Sequence, residues 1–447
     1  MIARPQVALL LVLAACSTQD LAPVEPPSPP EAPKPDPCQP LTLAHPEVEM
    51  GADDRPVPPI VDAARLEPFF ERAAALLRGR ATDHVRIAIY GDSNLTLDYL
   101  SGHMRRWLQL TYGDAGHGFV ASIKPWGHYK HMDVRHGTSS GWEPYAVTTD
   151  PVLDRMYGVS GIAAESLHKH AASWVATAEP GAPIGTRMSS AEVFFLKGKR
   201  FGQFDVEVDG TKNRTVDTSG DRPELGVERI EVEDGAHEIR FVAADHLRRT
   251  RLLGVAIERD QPGFVVDSYG VGSLNTLSLA RPDPNISRPM LERRGYDLVI
   301  FATGANDPFT IDRVPGAMAQ VIELHREALP GVAMLMLTPA DRGMRRTFPG
   351  TLKVIAQREL MAREHGIAFW NLFAAMGGPD AMARLHLRGM VKNDYIHYTE
   401  KGGDYVGRRL LHAMWSAFDD YLAAHPRAGC DAPPRQEATT KRSREGL

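Results

Sequence analysis

The chain has 447 residues, 43% of them hydrophobic and 24% charged. It is long enough for two domains and a sizeable core, and its composition is that of a globular protein. The net charge of −5 gives no reason to expect nucleic-acid binding, and no internal repeat recurs at solenoid or propeller periods.

The N-terminus carries one basic residue, Arg4, then an apolar run over 7–15 that ends at Cys16. The run is too short to span a bilayer and reads as a signal peptide. Leu13-Ala-Ala-Cys16 resembles a bacterial lipobox, covering residues 1–16. That resemblance implies an exported lipoprotein of the cell envelope, held to the membrane by lipid on Cys16. Ser17 stands where an inner-membrane retention signal carries Asp. The expectation is therefore the outer membrane, facing the periplasm or the cell surface. No other stretch is long and apolar enough to span a membrane. With Cys16 lipidated, Cys38 and Cys430 remain, an even count in an oxidising compartment. A disulfide between them would tie the two ends of the body together; the alternative is two free thiols in the flanks. Residues 17–60 read as a linker, Pro-dense and stiff over 21–40.

A helix is expected over 66–77. Val85, Ile87 and Ile89 then alternate with Arg86, Ala88 and Tyr90 until Gly91, which reads as a buried strand entering a tight turn. Leu97, Leu100, Met104 and Leu108 recur at helical spacing, so a helix follows. Ser93 thus lies between a strand's carboxyl end and a helix start, where ligands bind in open α/β sheets and free backbone N–H groups suit an anion. Asp92 and Ser93 as simple turn or capping residues are the plainer alternative.

Residues 113–150 are Gly-rich and aromatic, with Phe119, Trp126, Tyr129, Trp142 and Tyr145 among His117, His128, His131 and His136. They read as a polar, aromatic loop at an active-site rim. The spacing of His128, His131 and His136 fits no metal-site pattern, so no metal is expected. Over 154–260 the pattern changes to short strands at 191–196, 202–208, 229–233, 238–242 and 252–258. Asp209-Gly210 and Asp234-Gly235 are hairpin signals. This is an all-β unit, most simply a sandwich. A buried strand follows at 263–270, leading to Gly272 and Ser273. The apolar run 298–302 delivers Gly304 and Asn306. A helix at 316–329, a strand at 332–337, a helix at 352–364 and a strand at 367–370 come next. The loop 392–399 holds Asp394 and His397, a helix at 403–422 closes the body, and 426–447 reads as a disordered polar tail. Strands alternating with helices imply a parallel sheet covered on both faces.

A Ser, an Asp-x-x-His pair and an Asn after a second strand are the parts a serine esterase needs. Gly91-Asp-Ser93, Gly304-Ala-Asn306 and Asp394-x-x-His397 resemble the blocks of the SGNH (GDSL) hydrolases. The runs Gly91 to Thr96 and Tyr112 to Phe119 resemble the peptidoglycan O-acetylesterase branch. Block order and the long interval between Ser93 and Asn306 fit that branch too, over residues 68–422. The resemblance implies a three-layer α/β/α, flavodoxin-like domain with a parallel sheet, in two parts, 61–153 and 261–425. Between them, at 154–260, it implies an inserted β-sandwich, jelly-roll-like and similar to carbohydrate-binding modules. It also implies Ser93 as nucleophile, His397 as general base and Asp394 as its orienting partner. The oxyanion hole would use the Ser93 N–H, a backbone N–H at Gly272 or Ser273, and the Asn306 amide. The family's oxyanion Gly falls on Ser273, with Gly272 one place early; Gly158 to Gly161 is a rival for that block, against the family order. The implied activity is removal of O-acetyl groups from an envelope polysaccharide, peptidoglycan first, through an acyl-enzyme and without a cofactor. The rivals are an O-acetyltransferase with the same triad, and a glycan-binding lipoprotein with an inactive hydrolase domain. Asn94 and Ser273 are the departures that keep the last one open.

Overall fold

The computed structural model describes residues 38–51, 54–149, 151–342 and 346–431. Cys16 with the expected signal peptide, and the Pro-dense stretch up to residue 37, lie outside the described residues, as does the stretch beyond 431.

Strand β1 (Val85–Gly91) is buried on both faces except at Arg86. In chain order there follow β2 (Gly118–Val120), β3 (Val134–Thr138), β4 (Trp142–Ala146), β5 (Ile162–Ser166), β6 (Ala172–Thr177) and β7 (Met188–Lys197). Then come β8 (Gln203–Val208), β9 (Thr211–Asp217), β10 (Glu224–Gly235), β11 (Glu238–Ala243) and β12 (Thr250–Glu258). The chain returns with β13 (Phe264–Gly270), β14 (Leu298–Ala302), β15 (Ala333–Leu337) and β16 (Ala368–Trp370).

β1 lies in a parallel sheet of order β13-β1-β14-β15-β16. Numbered by chain order within this sheet alone, that is 2-1-3-4-5, the flavodoxin-like order whose ligand crevice opens beside the first strand. The alternation in β1 sends its residues to opposite faces. Val85, Ile87 and Ile89 pack with Phe70, Leu100, Met104, Trp415 and Phe418, from helices Glu67–Leu77, Tyr99–Tyr112 and Glu400–Ala424. Ala88 and Tyr90 pack with Met290, Met318 and Ile322, from helices Pro284–Arg294 and Val314–Ala328. The result is an α/β/α three-layer domain.

The β unit consists of two antiparallel sheets. One has the order β10-β7-β12-β5-β4 with β2 paired to β12; the other has the order β3-β6-β11-β8-β9. Val193, Phe195, Phe204, Phe241 and Val255 fill the space between them. The opposite face of the first sheet, with Phe194, Leu196, Leu253 and Ala256, joins the core of the α/β domain. β7 and β12 are therefore buried almost throughout, because both of their faces are covered. An ionic cluster lies at this seam. Arg294 bonds Asp267 and Glu258, both at 2.8 Å, and Glu258 also accepts from Arg86 at 2.9 Å. Burial opposes the charged form of Glu258, but Arg294 and Arg86 hold its carboxyl well below the usual range.

The structure corrects three boundaries. The β unit starts at Gly118, not at 154, because β2, β3 and β4 occupy the segment expected to be a rim loop. β3 and β4 are the outer strands of their sheets, and such edges carry short, polar stretches with little apolar signal. Residues 38–60 are not all free linker: Leu43 and Ile60 are buried, Pro58 accepts from Trp370 Nε1 at 3.0 Å, and Val61 bridges to Phe369. Nor does the tail begin at 426, since Ala428 and Cys430 are buried and the Gly429 N–H donates to Glu71 at 2.7 Å. Cys38 and Cys430 are joined by a disulfide, their Cα atoms 5.8 Å apart. Helix Pro284–Arg294, which contains Pro289, has too little apolar periodicity to stand out in the sequence. Among the described residues, no helix is long and apolar enough to cross a membrane.

Candidate active site

The turn after β1 is built from short bonds. Leu95 N–H donates to the Asp92 carbonyl at 2.9 Å, and Asn94 N–H donates to Asp92 Oδ1 at 3.1 Å. The helix begins only at Tyr99, after Asp98 in a left-handed conformation. Ser93 is therefore in the turn, not at a helix N-terminus as expected. Gly270, at the end of β13, lets this turn come close. A Cβ there would sit 2.5 Å from the Leu95 carbonyl carbon. Asp92 is buried and also accepts the Ala305 N–H, which ties the turn to the loop after β14. Burial raises its pKa in spite of these bonds.

Ser93 and His397 are 304 residues apart in sequence, yet the Ser93 hydroxyl donates to His397 Nε2 at 2.9 Å. His397 Nδ1–H donates to Asp394 Oδ2 at 2.8 Å, which leaves Nε2 as the basic nitrogen. Asp394 Oδ1 accepts the N–H groups of Ile396 at 2.9 Å and His397 at 3.0 Å. Partial burial raises the Asp394 pKa, but the hydrogen bonds from His397 and these backbone groups lower it further, so the net shift is down. The loop is closed by Lys392 N–H donating to the His397 carbonyl at 2.8 Å. Asp394 sits at its exposed edge.

Gly272 and Ser273 follow β13 and line the same cleft as Ser93 and His397. The Gly272 carbonyl is fixed by the Thr148 hydroxyl at 2.8 Å. Ser273 has φ 58°, the left-handed region that favours glycine. The N–H groups of Ser93, Gly272 and Ser273 meet no acceptor among the described residues. Asn306 does not line the cleft. Its amide donates to the Leu274 carbonyl at 3.1 Å, tying the loop after β14 to the loop after β13. Asp307 beside it is fully buried, pairs with Arg358 at 2.9 Å and accepts the Thr276 N–H at 2.8 Å. Gly158 to Gly161 do not reach the cleft.

The cleft has a volume of about 450 Å³. Its far wall comes from the β unit, with Trp126 and His128 between β2 and β3, and Thr148 and Thr149 beyond β4. The expected rim loop is thus partly right: Trp126 and His128 line the cleft, although strands flank them. Lys392 and Tyr99, which also line it, carry no sequence signal beyond their neighbours. Asn94 and Asp92 lie in the recognised motif, but their partners are distant in sequence.

His131 turns away from the cleft into a buried cluster with His117 and Asp98, whose potential ligand atoms lie within 4.8 Å of one another. This donor set does not suit a cation. Asp98 already accepts Arg105 at 2.9 Å, the Met132 N–H at 3.0 Å and the Ser101 hydroxyl at 2.5 Å. His117 and His131 contact each other through ring nitrogens. Arg105 neutralises the one anionic ligand and brings its own positive charge to the site.

No protein-family model matches the chain, and no curated protein matches it in sequence. Among solved structures, a peptidoglycan O-acetylesterase superposes with a TM-score of 0.67 at 21% identity, covering 81% of this chain and 99% of that one. The two chains share a fold, an α/β/α domain with a parallel sheet joined to a two-sheet antiparallel β unit. Weaker matches include a family two carbohydrate esterase from Cellvibrio japonicus, with 7% identity, a TM-score of 0.25, and coverage of 65% of this chain and 99% of that one. A carbohydrate-binding module of a termite-hindgut metagenome xylanase matches 21% of this chain and 75% of its own, with 10% identity and a TM-score of 0.17.

Proposed function

We propose that this chain is a serine esterase that removes O-acetyl groups from an acetylated envelope polysaccharide, with peptidoglycan as the first substrate to test. The hydrogen-bonded series Ser93–His397–Asp394, facing a cleft with free backbone N–H groups, is the observation that carries this reading. His397 Nε2 takes the Ser93 proton as Oγ attacks the ester carbonyl, and Asp394 stabilises the imidazolium. The N–H groups of Ser93 and of Gly272 or Ser273 receive the oxyanion. His397 returns the proton to the leaving sugar hydroxyl, then activates water to release acetate from Ser93. No metal or organic cofactor enters this sequence. A cleft of about 450 Å³ is far larger than an acetyl group and leaves room for the sugar that carries it. The structure with the same fold is of a peptidoglycan O-acetylesterase, which favours that polymer.

The test is acetate release from O-acetylated peptidoglycan and from short-chain aryl acetates. Ser93→Ala and His397→Ala should each lose on the order of 10⁴–10⁶ in kcat, nearly as much as the double variant. A folded Ser93→Ala protein with wild-type activity removes the reading. Acetyl transfer to an added sugar in preference to water would reassign the same triad to an acetyltransferase.

The lipobox-like motif at Cys16, outside the described residues, extends the proposal to an envelope lipoprotein anchored to a membrane. Cys16→Ala should move the protein from the membrane to the soluble envelope fraction. Full retention of that variant in membranes would count against lipidation.

A further inference from the structure

Asn94 directly follows Ser93 and departs from the superfamily's usual motif. Both ends of its side-chain amide are engaged. Nδ2 donates to the Ile396 carbonyl at 3.2 Å, and Oδ1 accepts the Tyr398 N–H at 3.0 Å. Ile396 and Tyr398 are the residues on either side of His397. A single side chain, covalently next to the hydroxyl that must be deprotonated, therefore brackets the imidazole that would accept the proton. Both contacts are to main chain, so they fix the course of the loop and do not depend on the rotamer of another side chain.

Most of the loop's other backbone hydrogen bonds close on the loop itself, and two side chains anchor it elsewhere: Tyr398 is buried in the core and donates to Met376 Sδ at 3.4 Å, and the Tyr395 ring packs on His386 at 4.5 Å. Asp394 bonds the N–H groups of Ile396 and His397 within the loop, and Lys392 bonds the His397 carbonyl from its start. Val391 and Tyr398 bridge across its base. Lys392, Asn393 and Asp394 are exposed. These bonds shape the loop but do not set its distance from Ser93. Among the described residues, the hydrogen bonds that join the loop directly to the Ser93 turn are the two from Asn94 and the Ser93–His397 bond itself. The neighbouring turn is rigid in turn, since Asn94 N–H and Leu95 N–H both donate to Asp92. Proton transfer demands heavy atoms within about 3 Å, and a displacement of about 1 Å can cost on the order of 100-fold in rate.

We infer that Asn94 is a positioning residue that holds the His397 loop in register with Ser93 by bonding both of its flanking peptides. The inference rests on the esterase reading of Ser93 and His397. It turns a feature that spoke for an inactive domain into a part of the active one.

The experiment compares wild type, Asn94→Leu and Asn94→Asp, each confirmed folded by circular dichroism. Leu removes both bonds at similar volume. Asp keeps the acceptor for Tyr398 but sets an oxygen against the Ile396 carbonyl. On an aryl acetate, Asn94→Leu should lower kcat by about 10- to 100-fold with KM within about twofold. Asn94→Asp should fall between it and wild type, with the acid limb of its pH–rate profile displaced upward by the added negative charge. A burst titration counts competent active sites, so loss of folded protein is separated from slower turnover. Asn94→Leu with wild-type kcat and pH profile overturns the inference while leaving the esterase reading intact. Should wild type cleave no ester, the esterase reading fails instead. The inference is then decided by the imidazole N–H proton of His397 in NMR. Its downfield signal in wild type should be lost or exchange-broadened in Asn94→Leu, and an unchanged signal overturns it.

Discussion

Ser273 occupies a position where a residue with a side chain has a backbone cost. Its φ of 58° would suit glycine, and a left-handed conformation costs a residue with a Cβ roughly 1–2 kcal/mol. Its role in the proposed oxyanion hole needs only the N–H, which glycine keeps. Ser273→Gly should therefore leave kcat on an aryl acetate within about twofold and alter stability by less than about 1 kcal/mol. Ser273→Pro removes the donor and should lower kcat on the order of 100-fold or more. Equal activity in folded Ser273→Pro would shift the donor role to Gly272. Asn306 differs, because its amide already donates to the Leu274 carbonyl. That bond uses one of its two N–H groups, and reaching an oxyanion with the other would require Asn306 to turn towards a cleft it does not line. If it does, Asn306→Ala loses about 10²–10³ in kcat. A loss below fivefold would leave Asn306 as a tie between two loops.

Trp126 and His128 bring the β unit into the cleft. Indole faces suit pyranose rings, and Trp126 lines the same cleft as Ser93 and His397 and packs edge-on against Tyr129 at 5.5 Å. Trp126→Ala should lower kcat/KM on O-acetylated polymer about tenfold or more and leave hydrolysis of a small aryl acetate within about threefold. Equal losses on both substrates would mean that Trp126 shapes the catalytic loops and does not contact sugar. The element that carries Trp126 was only half legible. Its aromatic content marked a rim, but β2, β3 and β4 were hidden, because edge strands earn their structure from partners and not from an apolar run. β7 and β12 were legible as strands. Their burial on both faces was not, since a continuous apolar run reads the same whether one sheet or a domain covers its second side.

At the scale of the molecule, several imidazoles are buried and held neutral. Burial lowers the His131, His136 and His325 pKa values to about 4 each, and that of His117 well below its ordinary value. In an unfolded chain they titrate near 6.5. Between those values the unfolded state binds more protons, so the stability these groups confer is complete above about pH 6.5 and is lost as the pH falls towards 4. The unfolding free energy from urea titrations should drop over that window with a slope above ~1.4 kcal/mol per pH unit, the value for a single proton. His136 offers a control. Both of its ring nitrogens are buried without a partner among the described residues, and the ring packs edge-on to Tyr129 at 5.3 Å. His136→Phe should raise stability by about 1–2 kcal/mol at pH 5 and flatten the slope. An unchanged slope would show that His136 is not titrating in this window. These measurements belong on the oxidised protein, because the disulfide from Cys38 to Cys430 spans 392 residues and joins both ends of the described chain.

The elements legible in the amino-acid sequence are those whose signal is local. The alternation of Val85, Ile87 and Ile89, the stop at Gly91, the apolar run ending before Asn306 and the Asp394-x-x-His397 pair each carry their signal within a few residues. They sufficed for the α/β class, the three-layer order and the proposed triad. Features that depend on residues far apart in sequence emerge only in the folded chain. Asn94 bracketing His397, Asp92 reaching Ala305, Asn306 turning to Leu274 and the β unit walling the cleft all join segments that share no periodicity. Such contacts leave no local pattern, because what selects each residue is a partner brought near only when the sheets close.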